Sequence, residues 1–191
     1  MILSGGQSRR MGRDKAELPL GSETFLRRLV RQYRPAFPVY VSVGRPGQFD
    51  TFGAGELVDL HPGIGPLAGL EAAFRRTEAD LVFLTATDLP FGTLALAEKL
   101  LEMRGDADAC VIRRADGRPE PAFGVYSRSC LPALEHCLAE NRRAFRGLLD
   151  RVEVRWVEEA ELEAFQLSWL LQNVNTPEEY ENVAKSLENS P

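Results

Sequence analysis

Apolar positions follow a helical period in some segments of this chain and form continuous runs in others. Over residues 23–34, apolar side chains recur at a spacing of three or four, which predicts an amphipathic helix. Its apolar face would consist of Phe25, Leu26, Leu29, Val30 and Tyr33. The next segment, VYVSV at 39–43, is rich in β-branched residues and is followed by a glycine, so it predicts a strand.

The same alternation continues through the middle of the chain. Strands are predicted by ELVDL, a short segment that runs to Asp59, by LVFLTA at 81–86 and by ACVIR at 109–113, and helical patterns at 66–77 and 93–104 separate them. LVFLTA, the second of these runs, is almost entirely apolar, as expected of a central parallel strand that is covered on both faces. Strands that alternate with helices of about twelve residues predict an α/β fold with a mostly parallel sheet.

The rest of the chain predicts two more strands and two more helices. The strands cover 122–127 and 152–157, and the helices cover 129–140 and the segment from Pro177 onwards. No linker, repeat or low-complexity segment interrupts the pattern, so we expect residues 1–191 to form one domain. The first strand would contain only residues 1–3. Because strands usually have about five or six residues, we expect the natural chain to begin slightly earlier.

Composition narrows the class of protein. The formal net charge of -5 argues against nonspecific binding to nucleic acid. No apolar run approaches the roughly 20 residues that span a bilayer, and no secretory pattern opens the chain, so we expect neither a membrane partner nor export. The three cysteines lack CxxC spacing, which favours buried free thiols in the reducing cytoplasm. These residues are Cys110, Cys130 and Cys137.

A glycine-rich, positively charged loop, LSGGQSRRMGRDK, follows the first predicted strand. Gly5, Gly6 and Gly12 allow positive φ and close backbone approach, so successive N–H groups can cradle an anion. Arg10 and Lys15 add positive charge suited to phosphate oxygens. The spacing differs from that of a Walker A loop. The loop therefore predicts a phosphate-binding site. The alternative interpretation is a solvated N-terminal arm without a binding function.

Two aspartates follow predicted strands. Ligands of such sheets bind beyond the carboxyl ends of the strands, which is where Asp59 and Asp88 fall. Asp88 comes too early to cap the helix that starts near Thr93, and a carboxylate at a strand end is a natural magnesium ligand. Asp59 fits either a ligand contact or a turn before the HPG sequence, and both interpretations stay open.

The opening loop is also the first part of a resemblance to a known family. LSGGQSRRMGRDKAELPLG resembles the motif LAGGxSxRMGxDKAxLxxxG of the molybdenum cofactor guanylyltransferases, which are nucleotidyltransferases with a three-layer, Rossmann-like fold. The similarity recurs, in order, at GPLAGLEAAF, TDLPF, PEPAFGVY and NVNTPEEY, and so covers nearly the whole chain. It implies that GMP is transferred from GTP to molybdopterin-bound molybdenum cofactor with Mg²⁺ and release of pyrophosphate. Whether the pterin arrives free or on a carrier or acceptor protein is left open.

The loop chemistry and the resemblance together assign roles to individual residues. The predicted GTP-binding residues are Leu3, Ser4, Gly5, Gly6, Gly12, Lys15, Asp59 and Asp88. The predicted catalytic residues are Lys15, Asp88 and Arg10, and Asp88 is also the predicted metal ligand. Arg10, Lys15 and the glycine amides would hold the β- and γ-phosphates, and Asp88 would hold the magnesium that bridges phosphate oxygens.

Residues near the C-terminus are predicted to face the pterin. Asn173 and Asn175 match two family asparagines on that side. Thr176 and Glu179 have the spacing of a helix capping box, which accounts for neither asparagine. Arg142 and Arg143 fit either a solvated face or a contact with the terminal phosphate of the pterin.

Some positions depart from the family pattern. Ser4 replaces the usual alanine, and Thr87 stands where many members have cysteine, so no cysteine there is needed for the chemistry. Ser42 and Gly44 occupy the strand end where some members place an asparagine near the nucleotide. How guanine would be read is therefore open.

Three alternative functions remain at this point. The nearest is another nucleotidyltransferase, such as a molybdenum cofactor cytidylyltransferase or a sugar-phosphate enzyme, although the double glycine and GPLAG favour GTP. A dinucleotide-dependent oxidoreductase is a second alternative, because GIGPLA at 63–68 satisfies GxGxxA between a strand and a helix. A non-catalytic binding module with this fold is the third, and the intact Lys15 and Asp88 argue against it.

Overall fold

The computed structural model describes residues 1–4, 14–61 and 63–188. Within these residues, nine strands alternate with seven α-helices. The strands are β1 (Ile2–Leu3), β2 (Pro19–Leu20), β3 (Glu23–Thr24), β4 (Tyr40–Val43), β5 (Gly55–Val58), β6 (Leu81–Ala86), β7 (Ala109–Arg113), β8 (Pro119–Ser127) and β9 (Val154–Glu158). The helices are α1 (Phe25–Tyr33), α2 (Pro66–Arg76), α3 (Leu94–Met103), α4 (Leu131–Ala139), α5 (Phe145–Leu149), α6 (Leu167–Leu170) and α7 (Pro177–Glu188).

Seven of the strands form one sheet in the order β5-β4-β1-β6-β8-β7-β9, and β2 and β3 form a separate hairpin. Parallel pairing joins β5, β4, β1 and β6, and it also joins β7 to β9. Only β8 runs against its neighbours, because it is antiparallel to both β6 and β7. The sheet is therefore mostly parallel, as the sequence predicts.

Helices cover both faces of this sheet. One apolar cluster includes residues of α1, α3 and the segment 162–171, and a second cluster includes residues of α2, α4 and α5. A third, smaller cluster lies beside the β2–β3 hairpin and α7 and contains Leu20, Phe25, Phe91, Val174 and Val183. This gives the three layers that the fold prediction requires. No helix among the described residues has the length and apolar character to cross a bilayer.

The first predicted helix begins later than expected. The sequence pattern places its start at residue 23, whereas α1 begins at Phe25. The side chain of Thr24 accepts a hydrogen bond from the backbone N–H of Arg27 at 3.2 Å and so acts as the N-cap. Glu23 belongs instead to the hairpin, where it pairs with Leu20. The five predicted apolar residues of this helix are all buried.

The strand after Arg118 is longer than predicted and runs in the opposite direction to its neighbours. It starts at Pro119, three positions before the expected residue 122. Consequently β6 has a parallel neighbour, β1, on one side only. The pattern also missed the β2–β3 hairpin, α5 and α6, because these elements have only two to five residues and too few positions to show a period.

Candidate functional site

Three of the predicted site residues follow parallel strands of the sheet. Ser4 follows β1, Asp59 follows β5, and Asp88 comes two residues after β6. The register pairs Leu3 with Ser42 of β4 on one side and with Ala86 of β6 on the other. Because parallel strands end at the same edge of a sheet, these side chains gather on one rim, which is the usual ligand-binding edge of such a fold.

A serine that the sequence analysis did not assign to the site connects two predicted residues. The hydroxyl of Ser42 donates a hydrogen bond to the Asp59 carboxylate, and the hydroxyl of Ser4 donates to the backbone carbonyl of Ser42. Ser4 and Ser42 are both buried. Burial raises the pKa of Asp59 above its ordinary value, and the Ser42 hydrogen bond offsets part of that effect. Asp59 is thereby held in a fixed position at the rim.

The helix that follows Asp59 approaches this rim very closely. Pro66 occupies the first turn of α2, and Gly65 before it has φ +112°, a conformation that L side chains rarely adopt. At Gly69, an added Cβ would lie 2.6 Å from the Leu3 side chain and 3.0 Å from the Ser42 hydroxyl. The GPLAG sequence therefore allows α2 to pack directly on β1 and β4.

The loop after β6 holds Asp88 rigidly. Leu89 and Phe91 are buried, and the Phe91 ring stacks on Trp169 with ring centroids 4.4 Å apart. From α1, the guanidinium of Arg28 donates to the carbonyl of Pro90 at 3.1 Å. The N-cap of α3 is Thr93, whose side chain accepts a hydrogen bond from Leu96, so Asp88 does not cap that helix, as predicted. Its carboxylate is available for other contacts.

Lys15, Asp88 and Asn175 meet at this rim. The ammonium of Lys15 donates to the side-chain oxygen of Asn175 at 2.5 Å, and the backbone N–H of Val174 donates to the Asp88 carbonyl at 3.0 Å. Lys15 is also the residue whose positive charge lowers the pKa of Asp88. The segment around Asn175 thus lies against both the end of the opening loop and the β6 loop.

The capping box predicted at the start of the last helix is present. The Glu179 carboxylate accepts hydrogen bonds from the backbone N–H groups of Asn175 and Thr176 at 2.6 and 3.0 Å. In return, the Thr176 hydroxyl accepts from the Glu179 N–H at 3.2 Å. This box fixes the backbone of Asn175 and leaves its side chain to Lys15.

The carboxylate of Asp88 is suited to a cation. Burial raises its pKa, and the positive charge of Lys15 lowers it in part. The Oδ1 atom of Asp88 is buried and has no hydrogen-bond partner among the described residues. A buried carboxylate oxygen without a donor is costly unless a ligand satisfies it, so Asp88 fits the predicted metal site.

The other predicted residues make no hydrogen bond to the side chains of Lys15, Asp88 or Asn175 among the described residues. Leu3 is buried in β1, and Asn173 lies next to the buried Val174. Arg142 forms an ion pair with Glu140 at 2.9 Å, and Arg143 donates to Asn141 at 3.0 Å. The structure joins neither arginine to Lys15, Asp88 or Asn175 by a hydrogen bond or ion pair among the residues that it describes.

The carbonyl of Arg143 nevertheless lies near the rim, because a Cβ added at Gly65 would be 3.6 Å from it. The predicted phosphate-binding residues Gly5, Gly6, Arg10 and Gly12 lie outside the described part of the chain.

Sequence reasoning missed one carboxylate at the site. Glu120, the second residue of β8, is half-buried and interacts electrostatically with Asp88. The sequence feature that could have pointed to Glu120 is its place in the PEPAFGVY motif, at the start of a strand whose later residues are mostly apolar.

A mostly parallel sheet whose carboxyl edge carries a lysine and partly buried carboxylates is the arrangement of nucleotidyltransferases with a Rossmann-like fold, and this chain is one of them. Residues 1–156 match the MobA-like NTP transferase domain. The chain belongs to that family.

Individual relatives agree with this assignment. The chain is 35% identical to a probable molybdenum cofactor guanylyltransferase from Carboxydothermus hydrogenoformans, over 96% of this chain and 93% of the relative. It is 34% identical to a molybdenum cofactor guanylyltransferase from Mesorhizobium japonicum, over 98% of this chain and 95% of the relative.

Among solved structures, molybdopterin-guanine dinucleotide biosynthesis protein A from Archaeoglobus fulgidus is similar with a TM-score of 0.87 and 25% identity, covering 99% of this chain and 98% of that one. The similarity therefore extends over nearly the whole length of each of these proteins.

Proposed function

We propose that this protein transfers GMP from GTP to molybdopterin-bound molybdenum cofactor, with release of pyrophosphate. The observation that carries the proposal is the meeting of Lys15, Asp88 and Asn175 at the carboxyl edge of the sheet. Curated relatives that share at least 34% identity over nearly the whole chain bear the name of this activity. Site and relatives thus support the same reaction.

In this reaction, an oxygen of the terminal phosphate of the pterin attacks the α-phosphorus of GTP. The bond between the α-phosphorus and its bridging oxygen breaks, and that oxygen leaves with pyrophosphate. Because a phosphate is already ionised at neutral pH, the acceptor needs no general base. The protein would contribute positioning and charge neutralisation.

The chain's own groups fall into two sets. Lys15, with Arg10 and the amides of the glycine loop at Gly5, Gly6 and Gly12, would hold the β- and γ-phosphates. Asp88 would hold Mg²⁺, which when bound neutralises phosphate oxygens as negative charge moves to the leaving group. Without a counter-charge, the Asp88 carboxylate would repel the phosphates of GTP, and Lys15 and the cation would each offset part of that repulsion.

Asp59, held by Ser42, would contact the nucleoside part of GTP from the next strand end. Asn173, Asn175, Arg142 and Arg143 would contribute to the pterin side of the cleft. We also propose a cytoplasmic location, because the three cysteines are buried free thiols.

A binding and transfer experiment tests the proposal. The full chain is titrated with GTP, CTP, ATP or NAD, each with and without Mg²⁺, and the melting temperature is measured. GTP with Mg²⁺ at about 100 times its Kd should add roughly 2.7 kcal/mol of stability, more than any other ligand. Pyrophosphate release should then depend on molybdenum cofactor.

Three results would reject the proposal. An equal or larger shift with CTP favours the cytidylyl alternative, and a shift with NAD alone favours an oxidoreductase. A GTP shift without cofactor-dependent pyrophosphate release would leave only a binding module.

A further inference from the structure

Glu120 lies at the same sheet edge as Asp88. The antiparallel register of β6 and β8 pairs Leu81 with Ser127 and Leu84 with Gly124, so each step along β6 moves one step back along β8. β8 therefore begins toward the carboxyl end of β6, so Glu120, its second residue, lies at the edge of the sheet where Asp88 follows β6. The electrostatic interaction between the two carboxylates agrees with that placement.

A bulge in β8 accompanies this placement. Against β7, the register shifts from Val111 opposite Gly124 to Ile112 opposite Glu120, so residues 121–123 have no partner there. Bulges re-aim side chains and are frequent beside active sites. The Tyr126 hydroxyl fixes the bulge by donating to the Pro121 carbonyl at 2.7 Å. Glu120 thus stands on a rigid, specifically shaped stretch of strand.

Two arginines are close enough to Glu120 to lower its pKa, but both are engaged elsewhere. Arg114 donates to the Glu159 carboxylate at 3.2 Å and to the Leu167 carbonyl at 3.3 Å. Arg118 donates to Asp116 at 2.7 Å. Within the described part of the chain, no hydrogen bond or ion pair engages the Glu120 carboxylate itself. Its charge is left without a direct counter-ion from these residues.

Two neighbouring carboxylates carry an energetic cost. Burial, and then the nearby Asp88 charge, raise the pKa of Glu120 to about 7. On the other carboxylate, Asp88 Oδ1 is sealed from solvent without a donor. Lys15 offsets part of the charge of Asp88, but its hydrogen bond goes to Asn175. A divalent cation between the carboxylates would remove both costs together.

We propose that Glu120 is the second carboxylate of the divalent-cation site, and that it binds the cation together with Asp88, directly or through one of its water ligands. This inference rests on the proposed metal site at Asp88. Mg²⁺ sites in phosphoryl-transfer enzymes commonly use one or two carboxylates plus phosphate oxygens of the substrate and water. Asp88, Glu120 and a triphosphate provide that set.

Mn²⁺ binding tests the inference without relying on turnover. Free Mn²⁺ is quantified by electron paramagnetic resonance during titration of the full chain, with and without a GTP analogue that has a methylene group between the α- and β-phosphorus. The variants are Glu120→Gln, which keeps the shape and loses the charge, and Glu120→Asp, which keeps the charge. Asp88→Asn is the reference variant, and Glu98→Gln, on the exposed face of α3, is the matched control.

We expect Glu120→Gln to weaken Mn²⁺ binding about tenfold or more, a factor that corresponds to about 1.4 kcal/mol. Glu120→Asp should lose less, Glu98→Gln should bind as the parent does, and Asp88→Asn should lose the most. Because Glu120→Gln removes a negative charge near Asp88, the melting temperature of this variant should not fall.

The outcomes separate the two proposals. If Glu120→Gln binds Mn²⁺ as the parent does while Asp88→Asn does not, Glu120 is not part of the site, and the proposed function stands. If Asp88→Asn also binds normally, or the parent binds no Mn²⁺ even with the analogue, then the metal site itself is wrong and the inference fails with it. Should Glu120→Gln fail to fold, Glu120→Ser, which also removes the charge, takes its place, and Mn²⁺ affinity equal to that of the parent in this variant would reject the inference.

Discussion

The ammonium of Lys15 lies 2.5 Å from the side-chain oxygen of Asn175, although 160 positions separate the two residues. Next to this contact, Val174 donates to the backbone carbonyl of Asp88. The C-terminal segment therefore connects the end of the opening loop to the loop after β6. Lys15 is directed toward the rim by a contact within the protein, so its orientation does not have to be created by the ligand.

Replacing Lys15 with alanine should weaken GTP binding and slow transfer together. A hydrogen bond that involves a charged group contributes about 1.5–3 kcal/mol, so we expect a loss of about 10- to 100-fold in GTP affinity. Asn175→Ala should have a smaller effect, because it keeps the positive charge of Lys15 and removes only the hydrogen bond that orients it. Isothermal titration and steady-state kinetics measure these changes.

Lys99→Ala is the control for this prediction, because Lys99 pairs with Glu102 on the surface of α3 at 3.1 Å. It should bind GTP as the parent does. GTP affinity of Lys15→Ala within a factor of two of the parent would show that Lys15 does not contact the triphosphate.

Gly69→Ala should destabilise the fold at the point where α2 meets the sheet. The new Cβ would lie 2.6 Å from the Leu3 side chain, which is itself buried, and 3.0 Å from the Ser42 hydroxyl. Overpacking of this kind usually costs about 1–3 kcal/mol. Urea unfolding measures the loss, and displacement of Ser42 should also weaken its hold on Asp59.

Gly147→Ala is the matched control, since it is also a glycine in a helix. There the added Cβ would be 3.4 Å from Arg142 Cδ, an ordinary contact. Alanine favours a helix over glycine by up to about 1 kcal/mol, so this variant should be as stable as the parent or slightly more stable. Equal stability of the two variants would contradict the close packing at Gly69.

The sequence predicts the layout of the sheet well because buried strands and long helices leave strong patterns. LVFLTA and ACVIR coincide with β6 and β7, and the five-residue apolar face of α1 is buried as expected. The reversed direction of β8 has no such signature, because the direction of a strand depends on its neighbours in space. That residues 1–191 form one domain stays a prediction.

Part of the site could be predicted, and part could not. Asp59 and Asp88 could be placed because each follows a recognisable strand. The link from Ser4 through Ser42 to Asp59 depends on which strands are adjacent, and the chain order does not show that β1 lies between β4 and β6. Glu120 was missed for a related reason, since it lies at the same sheet edge as Asp88 only because β8 is antiparallel to β6.

The three thiols should be unreactive in the native protein. Cys110, Cys130 and Cys137 are all buried, and burial raises the pKa of Cys110 to about 11 and that of Cys130 to about 12. At pH 8, reaction with Ellman's reagent should be on the order of 100-fold slower than in denaturant, where three thiols react at once. Fast native reaction of one thiol would contradict this.

The same thiols give a pH dependence of stability with a definite sign. A thiol whose pKa is raised by folding stabilises the native state fully below its ordinary pKa of 9.0. That stabilisation is lost as the pH rises through about 11. The free energy of unfolding should therefore decrease above pH 9, and less steeply in Cys110→Ala than in the parent once the loss of packing is subtracted at pH 7.

Asp59→Asn should separate the two interpretations of Asp59. Burial raises the pKa of this carboxyl, so its ionised form destabilises the ligand-free fold at neutral pH. Asparagine has no charge and keeps an oxygen that can accept the Ser42 hydrogen bond. The protonated carboxyl stabilises the fold at pH values below 3.8, the ordinary pKa of an aspartate. This stabilisation is lost as the pH rises through the higher pKa that Asp59 has in the folded protein. The melting temperature of Asp59→Asn should consequently exceed that of the parent at pH 7, and the difference should shrink toward pH 4.

If Asp59 contacts GTP, the same variant should bind the nucleotide about tenfold more weakly or worse, because a hydrogen bond to a charged group is lost. Asp106→Asn, at an exposed position before β7, should change neither property. A more stable variant with normal GTP affinity would identify Asp59 as a turn residue, the alternative that its HPG context also allows. A less stable variant at pH 7 would show instead that the Asp59 carboxylate stabilises the fold through its hydrogen bond with Ser42, and that burial does not dominate its energetics.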